Sequence, residues 1–284
     1  MKRFAASLLV LAAVAESAGA AGPQDGLIAF WSDRDGDPEI YVMRPDGSGQ
    51  RILARRPAGG DKRTSWSPDG RFVAFDSWRY TPPRREFDIF VVDADGKRAR
   101  RVTRHPAREL APSWSPDGRR IAFTRKRARG NLEDAFVVRA DGRRLRRVAT
   151  VLGPGIAWSP DGRQLLVAAP RGLTAVRLDG TAVRRYGFIG ISAGAWSAAG
   201  IVYTSSNDDI WRMDADGSNR RRLTTSKAAD FDASWAPSGD QIVFTSERDG
   251  NKEVYVMDAD GSNQRNLTRS AGEEWAGAWQ PLPR

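Results

Sequence analysis

Trp114-Ser115-Pro116-Asp117-Gly118 is the stretch on which the reading of this chain turns, because the chain repeats it. It stands whole again at Trp66–Gly70 and Trp158–Gly162. Worn versions follow at Trp196-Ser197-Ala198-Ala199-Gly200 and Trp235-Ala236-Pro237-Ser238-Gly239, and a shortened one at Trp279-Gln280-Pro281. The six tryptophans lie 38 to 48 residues apart. Self-similarity at that period marks a repeat architecture, in which each unit buries its apolar face against its neighbours.

Within a copy, proline pre-sets φ for a tight turn, and aspartate and glycine supply the side-chain bond and the positive φ that close it. A short β run follows each time: Ile28-Ala29-Phe30, Val73-Ala74-Phe75, Ile121-Ala122-Phe123, Leu165-Leu166-Val167, Ile201-Val202-Tyr203 and Ile242-Val243-Phe244. A second run then ends in Asp-Gly, as at Ile89–Gly96 and Val254–Gly261, which signals a hairpin. A last short segment closes the unit, as in Arg101-Val102-Thr103 and Arg222-Leu223-Thr224. Four strands per period predict an all-β fold, a six-bladed β-propeller of four-stranded blades. Trp66, Trp114, Trp158, Trp196, Trp235 and Trp279 are then structural, packed between neighbouring blades.

The first β runs, at Leu27–Ser32 and Glu39–Met43, have no Trp strand before them, and the last Trp strand, Ala276–Gln280, has no blade after it. These halves complete each other. Pairing the C-terminal Trp strand with the N-terminal strands closes the ring and leaves only short outer edges. An open array would instead need capping repeats. The division that follows is a signal peptide at 1–20, a short linker at 21–26, the propeller at 27–281 and a tail at 282–284. The signal reading rests on Lys2 and Arg3, the apolar run Phe4–Val14 and the small residues Ala18-Gly19-Ala20. The run is about half the roughly 20 residues that span a bilayer, so a membrane anchor is the weaker alternative. With no cysteine in the chain, neither disulfides nor Cys-ligated metals are available. A periplasmic or secreted monomer without a transmembrane segment is expected.

The formal charge is +10, and arginines cluster after the Asp-Gly turns, at Arg98, Arg100, Arg101, Arg143, Arg144, Arg146, Arg147, Arg184, Arg185 and Arg220–Arg222. Charge on outermost strands protects edges from pairing. The alternative is a basic rim attracted to acidic polymers. Nucleic acid is not expected, since no binding motif is present.

Catalytic machinery is sparse. Gly190-Ile191-Ser192-Ala193-Gly194 has the spacing of a nucleophile elbow. It leads into the Trp196 strand rather than a helix, and the chain's one histidine, His105, sits in a loop beside Pro106. No catalytic residue is therefore assigned, and no cofactor. Asp33, Asp35 and Asp37 alternate as calcium-loop carboxylates do. The same place in a later repeat reads Glu247-Arg248-Asp249-Gly250-Asn251, which favours a turn over a metal cage. Five residues before the tryptophans stand Asp61, Glu109, Gly153, Ile191, Asp230 and Glu274. On a four-stranded blade these positions share a face with the irregular loops and the channel mouth, where a site is expected. Asp61, Glu109, Asp230 and Glu274, with Asp232, are the candidate partner-binding residues, an acidic crescent beside an apolar half. The alternative is that they cap turns or pair with arginines.

Ile242-Val243-Phe244-Thr245-Ser246-Glu247-Arg248-Asp249-Gly250-Asn251-Lys252-Glu253-Val254-Tyr255-Val256-Met257-Asp258-Ala259-Asp260-Gly261 resembles the repeat of the TolB-like propeller family, and the likeness runs over about residues 27 to 281. Family members include TolB, a periplasmic part of an envelope-spanning system that binds a peptidoglycan-associated lipoprotein. The α/β domain that precedes the propeller in TolB has no counterpart in these residues, so its partners do not transfer directly. The same propeller also occurs fused to serine peptidase domains. What the resemblance implies is a non-enzymatic exported propeller that binds an envelope protein or peptide segment. The rival reading is a carbohydrate-binding or polysaccharide-degrading propeller acting on an acidic glycan.

Overall fold

The structure is a computed structural model that describes residues 25–54, 60–78, 86–187 and 190–282. The signal peptide, all of the linker but its last two residues, and most of the tail lie outside the described residues. The strands, numbered in chain order, begin with β1 (Asp25–Ser32), β2 (Glu39–Met43) and β3 (Arg51–Ala54). Blade two is β4 (Asp61–Trp66), β5 (Phe72–Ser77), β6 (Asp88–Asp93) and β7 (Arg100–Arg101). Blade three is β8 (Glu109–Trp114), β9 (Arg120–Lys126), β10 (Glu133–Arg139) and β11 (Arg146–Val151). Blade four is β12 (Ile156–Trp158), β13 (Gln164–Ala169), β14 (Gly172–Arg177) and β15 (Ala182–Arg185). Blade five is β16 (Gly190–Ser197), β17 (Gly200–Ser205), β18 (Ile210–Met213) and β19 (Arg221–Arg222). Blade six is β20 (Asp230–Trp235), β21 (Gln241–Ser246), β22 (Glu253–Asp258) and β23 (Arg265–Asn266).

The last strand, β24 (Glu274–Pro281), pairs antiparallel with β1, and blade one has the order β24-β1-β2-β3. The ring is therefore closed by its two ends, as the sequence predicts. The first strand starts at Asp25, two residues before the sequence boundary, because Asp25 pairs with Pro281.

Six apolar cores lie between blades rather than within them. Trp114, for example, packs with Ile121, Phe123 and Val138 of its own blade against Ala74, Ile89, Val91 and Val102 of blade two. Trp66, Trp158, Trp235 and Trp279 occupy the same place in their cores. Trp196 is the exception in degree: it is only half-buried against the blade four and five core. The indole of Trp158 also donates to the Ser113 carbonyl of the preceding blade at 3.0 Å.

The repeated turn explains the motif. Ser115 Oγ donates to Asp117 Oδ1 at 2.5 Å and accepts from the Arg120 N–H at 2.9 Å, while the Arg119 N–H donates to the same carboxylate at 3.0 Å. Gly118 completes it at φ +67°. The Asp-Gly hairpin turns do more than reverse the chain. Gly96 sits at φ +80°, and a Cβ there would lie 1.8 Å from the Leu53 carbonyl oxygen of the neighbouring blade. Gly142, Gly180 and Gly261 rest in the same way on Val102, Val148 and Leu223. Each such glycine lets one blade close on the next.

Candidate functional site at the channel mouth

The inner strand of each blade begins against the loop of the blade before it. The Asp61 N–H donates to the Pro38 carbonyl, Glu109 to Phe87, Asp230 to Asp208 and Glu274 to Lys252, at 2.7–2.8 Å. The loops between second and third strands and the starts of the inner strands thus share one face, the mouth.

The structure places the acidic positions behind that mouth rather than on it. Asp61 is buried, and Glu109, Asp230 and Glu274 are fully so. Glu274 is held by Arg34 at 2.8 Å, Glu109 by Arg125 at 2.6 Å and Asp230 by Arg248 at 3.1 Å. Each of these guanidinium groups in turn lies over aromatic rings of its own blade: Arg34 over Tyr41 at 4.9 Å, Arg125 over Phe136 at 4.2 Å and Arg248 over Tyr255 at 4.6 Å. Burial raises the Glu109 pKa against the pull of its hydrogen bonds to Thr103 and Arg125. These units tie the strand starts to the second strand or the loop after it, so three of the five acids expected as a free crescent are instead neutralised pairs. Asp232 alone of the five lines the channel.

That channel holds a cavity of about 330 Å³ lined by the inner strands of all six blades. Most of its wall is small or apolar, with Ala111, Pro112, Pro154, Gly155 and Gly277 among the lining residues. Bulges in the inner strands put Arg63, Ala111 and Asp232 at positive φ, +28°, +53° and +55°. A bulge re-aims a side chain, and such devices gather at sites. Arg63 and Asp232, from blades two and six, are the charges so placed. The Asp232 carboxyl is pushed up by burial, partly offset by Arg63. Behind Arg63, at 3.8 Å, lies the fully buried Asp76, whose Oδ2 accepts the Ala111 N–H at 2.9 Å.

Across the mouth runs an arc of rings that the spacing of the acids did not disclose. Phe231 meets Trp275 at 5.0 Å, and Trp275 stacks on Trp31 at 5.3 Å. Lys62 Nζ lies 4.4 Å from the Trp31 ring and 5.8 Å from Trp78, which meets Phe87 edge-on at 4.8 Å. Lys252 covers Trp275 and Arg108 covers Phe87. Burial lowers the Lys62 pKa. Gly60 is required beneath this arc, because a Cβ there would sit 1.9 Å from the Trp78 ring. Phe231, Lys62, Trp78 and Trp275 remain half-buried, so the arc is open to a partner. Lys62, Phe231 and Trp275 all stand four residues before their tryptophan, one residue beyond the acids. Aligning that column was the available signal.

The remaining candidates have local partners. Asp35 accepts from the Tyr41 hydroxyl at 2.5 Å and Asp33 from the Glu273 N–H at 2.8 Å. Asp249, at the position of Asp35, accepts likewise from Tyr255. His105 Nδ1 accepts the Ala107 N–H at 3.0 Å, and burial lowers its pKa. Ser192 lies within β16 and lines the channel, with a strand and not a helix after it. Among the described residues no group of three His, Cys, Asp or Glu side chains is placed to hold a metal. No helix among them is long and apolar enough to cross a membrane.

Comparison with known proteins agrees with this architecture. Residues 190–282, which form blades five and six and the strand that closes blade one, match the family described as the TolB beta propeller domain. The Tol-Pal system protein TolB of Anaeromyxobacter dehalogenans strain 2CP-C is 36% identical over 89 residues, which cover 28% of this chain and 20% of that protein. The match thus spans about one fifth of the relative's length. Among solved structures, TolB from Acinetobacter baumannii superposes with a TM-score of 0.71 at 20% identity, over 90% of this chain and 67% of that one. A putative TolB from Agrobacterium tumefaciens gives 0.64 at 20% identity, over 91% of this chain and 100% of that one. At that identity the superpositions speak for the fold. Repeat motif, ring closure and superposition together make this chain a six-bladed β-propeller whose residues 190–282 are similar to the TolB beta propeller domain.

Proposed function

We propose that the chain is an exported, non-enzymatic propeller that binds a protein or peptide partner in the cell envelope through its channel mouth. The observation that carries this reading is the open arc Phe231–Trp275–Trp31–Lys62–Trp78 beside a channel with Arg63 and Asp232 on its wall. Aromatic side chains give large contact area at low entropy cost and dominate binding hot spots. A peptide that seats an apolar side chain on the Trp275 and Trp78 rings and sends a polar group toward Arg63 and Asp232 suits the site. The three paired acids, Glu109, Asp230 and Glu274, hold the mouth in shape for it. The likeness to proteins of a Tol-Pal system supports a place in the envelope, and residues 1–20 read as the export signal.

The test is affinity capture from an envelope extract, followed by titration of the purified partner. Trp275→Ala combined with Trp78→Ala should weaken that partner by roughly 30-fold or more, as loss of a hot spot of about 2 kcal/mol implies. A folded double variant that binds as tightly as the parent overturns the mouth reading. Turnover of a polyuronate by the parent protein would decide for the glycan-acting alternative.

A further inference from the structure

On the face opposite the mouth, a groove lies between blades three and four. Its floor is Val137, Val148 and Leu178, and its rim is Arg119, Arg120, Arg139, Arg144 and Arg146, around a cavity of about 530 Å³. Blade five shows how such a groove can be filled. In β18 the residue opposite Val202 is Arg212, which crosses the groove to donate to the Ala259 carbonyl at 2.9 Å and to Ala199 at 3.1 Å. In β10 the residue opposite Ala122, the matching position, is Val137; blades one, two and six have Val42, Val91 and Val256 there, and Val137 packs into the core shared with blade four. Leu178 stands where blade six has Ala259 and extends the apolar floor.

Three of the five rim arginines are also uncommitted where others are not, while Arg120 donates to the Gly162 carbonyl of blade four at 3.3 Å. Elsewhere on this face Arg184 donates to the Asp216 carbonyl, Arg220 to Tyr186, Arg221 to Ala259 and Arg265 to Pro45. Around the groove, Arg120 reaches Asp117 and Arg139 reaches Asp141, each at 3.4 Å. Arg119, Arg144 and Arg146 have no carboxylate within ion-pair distance among the described residues, although Arg146 contributes at longer range to holding the Asp179 pKa low. Arg144 is held at φ +55°, where blades five and six have Asn219 and Asn263 at +51° and +54°. A long side chain in the left-handed region carries strain that asparagine tolerates better, and such strain gathers at ligand sites.

We propose that this groove binds an amphiphilic phosphate monoester, a dianionic head on a short aliphatic body. Three guanidinium groups without ion pairs match the charge and the acceptor oxygens of a phosphate through forked hydrogen bonds. The valine and leucine floor accepts the aliphatic part. The cavity lies within the size range of small-ligand pockets, and its concavity admits a single molecule rather than a flat bilayer. The site is separate from the mouth and does not depend on the partner proposed there.

Calorimetric titration of the whole protein with octyl phosphate tests it, with inorganic phosphate and octyl glucoside as head-only and tail-only probes. Octyl phosphate should bind at least about tenfold more tightly than either, since neither alone uses both floor and rim. Arg144→Asn, which relieves the left-handed strain and should fold at least as well as the parent, should weaken octyl phosphate by about tenfold. Val137→Arg copies Arg212 and adds positive charge while filling the groove, so it should abolish binding. Unchanged affinity in Arg144→Asn, or stronger binding in Val137→Arg, would overturn the proposal. Binding of anionic phospholipid vesicles that octyl phosphate fails to displace would overturn it as well, in favour of general attraction to the basic face.

Discussion

Asp76 offers the sharpest test of how this ring balances charge against burial. It is fully buried in β5, and its Oδ1 has no hydrogen-bond partner among the described residues. Burial pushes its pKa from 3.8 up to about 6, against the opposing pull of Arg63 and the Ala111 N–H. The same position in blade six is Thr245, whose hydroxyl accepts the Ala276 N–H at 2.9 Å, just as Asp76 accepts that of Ala111. A neutral hydroxyl therefore does the local work of the carboxylate. The folded protein holds this proton more tightly than the unfolded chain does. The stabilisation from that proton is complete below the unfolded pKa near 3.8 and is lost as pH rises through about 6. At about 1.36 kcal/mol per unit, the whole loss is about 3 kcal/mol, of which about 2–3 falls between pH 4 and pH 8.

Asp76→Thr should remove that loss. In urea unfolding at pH 4 and pH 8, the variant should gain about 2–3 kcal/mol on the parent in going from the lower to the higher pH. Asp232, Asp88, Glu109 and Glu253 are also raised, so the parent's own profile is a sum. The difference between the two proteins isolates Asp76. Parallel pH profiles, or a variant that loses ground at pH 8, would refute the account of a carboxylate buried at a cost.

Trp114→Ala should cost about 3–5 kcal/mol in the same urea assay, because it empties the core between blades two and three, whereas the half-buried Trp196 should cost less. An unchanged midpoint would show that the tryptophans are not structural. N-terminal sequencing of the expressed protein should find a mature chain beginning near Ala21, and a retained Met1 would exclude export through this signal.

The fold was legible because its determinants are local and repeated. A Ser-Pro-Asp-Gly turn contains its own closing bonds, as Ser115, Asp117 and Gly118 show, so three whole copies and three worn ones announce six blades. Ring closure was legible by the same logic, since the unmatched half-repeats at the two ends had one economical solution. The acids before the tryptophans were found by spacing, but their role was not. A carboxylate reads alike in sequence whether it faces solvent or an arginine, and the partners lie elsewhere in the blade, Arg125 in the second strand and Arg34 and Arg248 in the loop after it. Their clamp depends on the register between the inner and second strands, which sets Glu109 opposite Arg125 and is not read from the acid's position alone.

What separates function from scaffold in such a ring is divergence at matched positions. Where blades agree, as at the tryptophan and the Asp-Gly turn, the residue serves contact between neighbours, and any blade must satisfy the same geometry. Where one blade departs, the departure needs its own reason. Lys62, Phe231 and Trp275 share a column with Leu110, Pro154 and Ser192, so the rings gather on one side of the mouth and leave the other plain. Asp76 replaces threonine at a stability cost, beside the only arginine among the channel-lining residues. Leu178 widens the apolar floor of a groove where four other blades have alanine, and Arg144 accepts strain that asparagine would ease. A symmetric scaffold gains nothing from these choices. A ring that must present one face to a partner and the other to an anion does.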